Sequence, residues 1–278
     1  MPEKETSTLR KYLVISANSL AYFMLAYLFI ILLINFVSML MAKIFYGVGS
    51  TMTQNGFDID KTNFHWTLES VVLIFFIGVM VAMLFGVWFQ MIYIKTRKGN
   101  GHLKIFFMWS YMIAYTIFFG DLVFGAFFNY MPGAFFNFMA IPMFLRLVIG
   151  IGGLVMLFVV GWVSAKNVVI SLNIYLRKAS ISQIRPYVMA QLLVPFVVGN
   201  AIIFFLKWPL QAKFQYLDTL VLLTMGLILV GVIFAIGKQQ SIRFTRHHDS
   251  FRVRWVPVLL SVGAIIAYVL IFNIGHPI

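Results

Sequence analysis

Asp121 lies about two-thirds of the way along an otherwise apolar run from Ile105 to Phe128, and Arg146 stands near the start of the next one. An ionised carboxylate in hydrocarbon costs several kcal/mol unless it is paired or wet, so an ionisable residue at such a position is a functional-site candidate. Asp121 is 16 residues past Ile105, about 24 Å along a helix at about 1.5 Å per residue. Arg146 is about 8 Å in from Ile141 on a helix running the other way. The two can therefore share a level and pair. Glu69 and Asp218 each open an apolar run on the same side. The sequence thus predicts an intramembrane polar cluster of Glu69, Asp121, Arg146 and Asp218. Its chemistry is either an ion pair fixing helix register or a site for an ion or solute. The two end acids also suit helix N-termini, where the dipole favours them.

Other chemistry-bearing residues are sparse. His65 and Glu69 are spaced i, i+4 and share a helix face. A third metal ligand would have to come from Asp58, Asp60, Asp121 or His276, and the expectation is that no metal and no other cofactor is bound. His247 and His248 are adjacent, so their side chains diverge. The segment Lys238–Trp255 mixes Arg243, Arg246, Arg252 and Arg254 with Phe244, Phe251 and Trp255. These four arginines are candidate contacts for anionic lipid or a cytoplasmic partner.

The elements that must position these residues are apolar helices. Hydrophobic residues make up 62% of the chain and charged residues 10%, with a mean hydropathy of +0.95. The unbroken runs are about 20 residues or longer, as a helix crossing about 30 Å of hydrocarbon requires. A membrane barrel would instead alternate apolar and polar residues. The sequence predicts an all-α polytopic bundle of about seven spans, near 16–42, 68–94, 105–127, 141–165, 187–206, 217–237 and 256–273. Residues 1–12 form a cytoplasmic segment and 13–278 a single transmembrane domain. The fourth span has two versions. One starts near Ile141, with Lys166 at its cytoplasmic end; the other starts near Gly150 after a piece bracketed by Pro132 and Pro142. The first is preferred.

Net charge is +13. In a spanning protein this reflects cytoplasmic Lys and Arg rather than nucleic acid. Fifteen of the 21 Lys and Arg fall in the N-terminus and alternate links, whereas the other links hold Lys43, Lys61, Lys207 and Lys213. The positive-inside rule then puts the N-terminus in the cytoplasm and the C-terminus outside; the expected location is a bacterial inner membrane. Cysteine is absent, which excludes disulfides and thiolate metal sites.

Small residues at four-residue spacing mark helix–helix faces, Gly78, Ala82 and Gly86 on the second span and Gly231 and Ala235 on the sixth, with a looser set, Gly150, Gly153 and Gly161, on the fourth. Their expected use is packing within the chain. Pro195 should kink the fifth span.

There is no H-E-x-x-H, G-x-S-x-G or P-loop, no buried histidine pair for haem, and no lysine in the last span for a retinal Schiff base. No catalytic residue is assigned. With few polar groups in its spans and very short loops, the chain reads first as a non-catalytic integral subunit of a larger membrane assembly. Its expected partners are membrane lipids and other membrane subunits. The alternative is a small-solute or ion transporter or channel using the acidic/Arg cluster. An enzyme acting on a lipid through the same carboxylates ranks last, because no nucleophile–base pair is legible.

Overall fold

A computed structural model describes residues 8–53, 56–59, 67–97, 99, 101–128, 132–176, 178–179, 181–207, 213–237, 242–243 and 251–273. Seven helical stretches are long and apolar enough to cross a membrane: Thr8–Tyr46, Ile77–Thr96, Leu103–Phe128, Met143–Ile174, Ile184–Leu206, Leu217–Ile236 and Trp255–Phe272. By length and composition this is a multi-pass helical membrane protein, as the apolar runs predict.

The elements in chain order are α1 (Thr8–Tyr46), the hairpin β1 (Ser50–Thr53) and β2 (Gly56–Ile59), and α2 (Leu68–Val71). A π-helical turn, Val72–Phe76, leads into α3 (Ile77–Thr96), followed by α4 (Leu103–Phe128) and the short α5 (Pro132–Phe138). Then come α6 (Met143–Ser171), a 3-10 turn Leu172–Ile174, and β3 (Lys178–Ala179). The chain finishes with α7 (Ile181–Leu206), α8 (Lys213–Leu223), α9 (Met225–Ile236), β4 (Ile242–Arg243) and α10 (Trp255–Asn273). α8 and α9 together make the sixth span.

α4 is the axis of the bundle. It packs on α1, α3, α5, α6, α8 and α9, and most of its residues are buried, including Trp109, Tyr111 and Ile113. α6 and α10 are peripheral and mostly exposed. α10 leans on α1.

The fourth span begins at Met143, close to the preferred version. It also runs past the expected end at 165, through Ile174. Lys166 therefore does not end the helix; it is exposed on its outer surface. The second span differs too. Its first turn is capped by Thr67 and Ser70, with Thr67 N–H donating to Ser70 Oγ at 2.9 Å and Ser70 N–H to Thr67 Oγ1 at 3.2 Å. This reciprocal pair satisfies two of the N–H groups that a helix start leaves open. The wider π turn then interrupts the helix before α3.

Glycines make the closest approaches, and they do so within the chain. A Cβ at Gly161 would overlap the Ile228 carbonyl, and one at Gly231 would overlap the Phe158 carbonyl. α6 and α9 thus meet backbone to backbone, the arrangement that small residues permit where lipid offers no hydrophobic drive. Gly86 lies against Tyr115, and Gly153 against Val123 and the Phe119 carbonyl. Gly152, on the opposite side of α6, has nothing within 4 Å of its Cβ position.

Pro195 stays inside one continuous helix, α7. Lacking an N–H, it cannot bond the Gln191 carbonyl four residues back. Ser19 of α1 supplies the missing donor, its Oγ lying 2.6 Å from Gln191 O. The indole Nε1 of Trp109 in turn donates to Ser19 Oγ at 2.9 Å, and Gln191 Nε2 donates to Ser171 Oγ at 2.6 Å. One proline is thereby converted into a polar knot joining α1, α4, α6 and α7. Ser19→Ala should destabilise the bundle by about 1–3 kcal/mol, the cost of a buried carbonyl left unbonded. In a Pro195→Ala background the helix can supply its own donor, so the same substitution should cost less. Equal costs in the two backgrounds, measured as a double-mutant cycle by unfolding in detergent, would remove this explanation.

Candidate functional site

The acids of the spans converge on a lysine rather than on Arg146. Lys207 directly follows α7 and is only 4% exposed; its Nζ is 3.6 Å from Asp218 Oδ2. Asp121 is 8% exposed and within direct electrostatic reach of both Lys207 and Asp218. Tyr27 of α1 and Tyr268 of α10 lie within electrostatic range of Asp218. The Tyr27 hydroxyl is buried without a hydrogen-bond partner among the described residues. Lys207, just past α7, thus pairs with Asp218 of α8, and Asp121 of α4 and the phenols of α1 and α10 lie within electrostatic range.

Local structure explains the convergence. Gly120 lets α4 close on α8: a Cβ there would stand 2.9 Å from Thr224 Oγ1 and from Val221 Cγ1. Asp121 follows Gly120, and Asp218 lies one turn before Val221 on α8. Thr224 sits at the break between α8 and α9, its hydroxyl returned to Val221 O at 2.6 Å. Lys207 belongs to the first residues beyond the apolar part of α7. Its N–H still bonds Ile203 O at 3.1 Å, which fixes its position one step past the helix.

Of the four predicted cluster residues, the structure brings together Asp121 and Asp218. Arg146 is engaged elsewhere. Its Nε donates to Ile141 O at 2.8 Å, its Nη2 to Phe136 O at 3.1 Å and its Nη1 to Asn137 Oδ1 at 2.6 Å. These acceptors belong to the C-terminal turn of α5 and the link after it, where helix carbonyls lack partners and the dipole favours a cation. In that link Ala140 has a φ of 48°, a left-handed conformation that is costly for an L-residue. Arg146 staples this turn, and the expected Asp121–Arg146 ion pair does not form. Glu69 is exposed in the first turn of α2, with the neutral Tyr46 hydroxyl within its electrostatic range. His65 lies outside the described residues, as do Asp60 and His276. Among the described residues no three His, Asp or Glu gather to hold a metal ion.

Lys207 was legible as an anomaly. The links on its side hold few cations, and it directly follows an apolar run, ahead of Trp208 and Pro209. A lysine kept there against the charge bias invites a search for acids at the same depth.

The basic end has its own polar structure. Lys104 is 1% exposed and its ammonium donates to Arg97 O at 3.3 Å, Gly99 O at 2.8 Å and Asn173 Oδ1. It caps the carbonyls at the end of α3, as basic side chains do at helix C-termini. Arg97 donates to Asn167 Oδ1. Arg254 bonds Asn18 Oδ1 through its N–H at 2.8 Å and His102 Nε2 through Nε at 3.1 Å. Arg252 is exposed, with its carbonyl accepting from Asn18 Nδ2 at 3.1 Å. Arg243 lies in β4, paired with Lys178 of β3, and Arg246 lies outside the described residues. Arg254 therefore serves internal structure, while the exposed side chain of Arg252 remains available for contact.

The geometry defines a seven-span helical bundle with a buried acid–lysine cluster. No family model matches the chain, and neither a curated protein nor a solved structure matches it.

Proposed function

We propose that the protein carries a proton or a small monovalent cation across the membrane, and that Asp121, Lys207 and Asp218 form the binding site. The observation that supports this most is the charge balance of the cluster. Two carboxylates lie near one ammonium, with Asp121 and Lys207 buried and Asp218 partly exposed, and unbalanced charge is unfavourable in such surroundings. One further positive charge completes it. Intramembrane acids gathered from several helices mark ion and proton pathways in general.

The distribution of the scarce polar residues also favours transport over a passive role. Thr116 on α4 and Ser164 and Asn167 on α6 are turned inward and buried, as is Asn200 on α7. With Ser19, Gln191 and Ser171, they give the interior a series of hydroxyls and amides between the two ends. Under the positive-inside rule the basic end faces the cytoplasm and the cluster lies in the outer half of a bacterial inner membrane.

The test is infrared difference spectroscopy of the purified protein on stepping pH, Na⁺ or K⁺, paired with ion uptake into liposomes. A carboxyl band that responds to one of these cations and vanishes in Asp121→Asn is expected, with uptake falling to the level of protein-free liposomes. A band indifferent to all three, together with unchanged uptake in Asp121→Asn, would rule the reading out.

A second reading, an integral subunit of a membrane assembly, rests on the outer face of α6. Phe144, Val148, Ile151, Val155, Val159 and Val163 are exposed there, beside the open Gly152. A bulky ridge with a small residue beside it suits another helix as well as lipid. A monodisperse monomer on mild extraction at native expression level would argue against that role.

A further inference from the structure

We infer that a groove between the start of α7 and the end of α9 holds one anionic phospholipid, with its phosphate on Arg185 and an acyl chain along the apolar walls. The groove has a volume of about 420 Å³ and is lined by Arg185, Val188, Met189, Ile233, Phe234 and Ile236. That volume lies within the range of about 300–1,000 Å³ typical of ligand pockets. Five of the six lining residues are apolar, and Met189, Ile233 and Phe234 are exposed, so the walls open sideways toward lipid.

Charge complementarity identifies the occupant. Arg185 is exposed and forms no ion pair among the described residues. Neither wall offers it an acid: the sequence has no Asp or Glu from Arg177 to Lys213, nor from Thr219 to His248. Its guanidinium leans over Gly237 at the end of α9, where a Cβ would lie 3.1 Å from Nη2. The apolar part of α7 begins at Ile184, so Arg185 stands at the level where chain and headgroup meet. A planar guanidinium there matches a phosphate diester in two parallel hydrogen bonds, and the five apolar residues match the tail.

This inference is independent of the transport reading, since Asp121 takes no part in it. The test uses the full chain, delipidated in detergent. Phosphatidylglycerol and phosphatidylcholine with identical chains are titrated onto it, and bound lipid is counted by native mass spectrometry. Wild type should prefer phosphatidylglycerol by about fivefold, the effect of one basic residue near an anionic surface. Arg185→Gln should erase that preference, and Arg185→Lys should keep most of it. Met189→Trp or Ile233→Trp should reduce retention of both lipids by filling the groove. Lys166→Gln, exposed on α6 and not part of the groove's lining, should behave as wild type. Equal retention of the two lipids by wild type would overturn the proposal, as would an intact preference in Arg185→Gln. Undiminished retention in both tryptophan variants would also overturn it.

Discussion

Lys207→Met should destabilise the bundle by about 3–5 kcal/mol, the range seen when one partner of a buried ion pair is removed. The ammonium is 4% exposed and 3.6 Å from Asp218, and Asp121 also depends on its charge. Its removal leaves two acids near each other, Asp121 buried and Asp218 only partly exposed. Adding Asp121→Asn and Asp218→Asn should restore most of the loss, because the penalty comes from uncompensated charge rather than from lost packing. Unfolding in a detergent–denaturant mixture or by steric trapping measures both. A cost below about 1 kcal/mol for Lys207→Met would place the pair in the solvent-exposed class. The triple variant also separates structure from function: it should be folded and unable to carry charge.

Gly161→Leu should cost about 3 kcal/mol or more, at the upper end of overpacking effects. At most packed positions an added side chain is absorbed by rotating its neighbours. Here the atom in the way is the Ile228 carbonyl of the facing helix, which no rotamer change can move. α6 and α9 must separate, and the reciprocal contact of Gly231 with the Phe158 carbonyl and the Trp162 N–H group goes with them. Gly231→Leu should therefore match Gly161→Leu, and the double variant should cost less than the sum. Gly152→Leu is the control. Nothing lies within 4 Å of its Cβ position, so its effect should stay within about 0.5 kcal/mol. Propensity alone favours leucine over glycine, so similar losses at positions 152 and 161 would mean that the α6–α9 contact does not govern the cost.

Much of the architecture was legible in the residues because one physical requirement dominates it. A span must be about 20 apolar residues long, and this chain marks its spans by length alone. The glycine faces were legible for a related reason: four-residue spacing fixes a side of a helix, and the close approaches at Gly86, Gly153, Gly161 and Gly231 fall on the expected sides. The candidate site was only half legible. Depth along a helix follows from counting, which put Asp121 and Asp218 at one level. Rotation about the helix axis does not follow from counting, and rotation decides which cation an acid meets. Arg146 has a suitable depth, yet the α5 turn lies closer and offers it three acceptors. Lys207 reads as an ordinary link residue because charge bias assigns lysines to links without saying which of them fold back against the bundle. The Ser19–Gln191 bond needed both facts at once. Pro195 announces a carbonyl without a donor, and only the parallel seating of α1 on α7 says who fills it.

The position of α4 at the axis has a consequence for how the protein is made. Synthesis delivers it as the third membrane helix, before α6, α8 and α9, which go on to pack against it. Asp121 thus enters the bilayer on a nascent chain whose neutralising ammonium has not yet been translated. Until α7 emerges, that carboxyl must be sheltered by the insertion machinery or held at the lipid headgroups. A ribosome stalled between the fourth and fifth spans should therefore leave α4 unusually easy to extract.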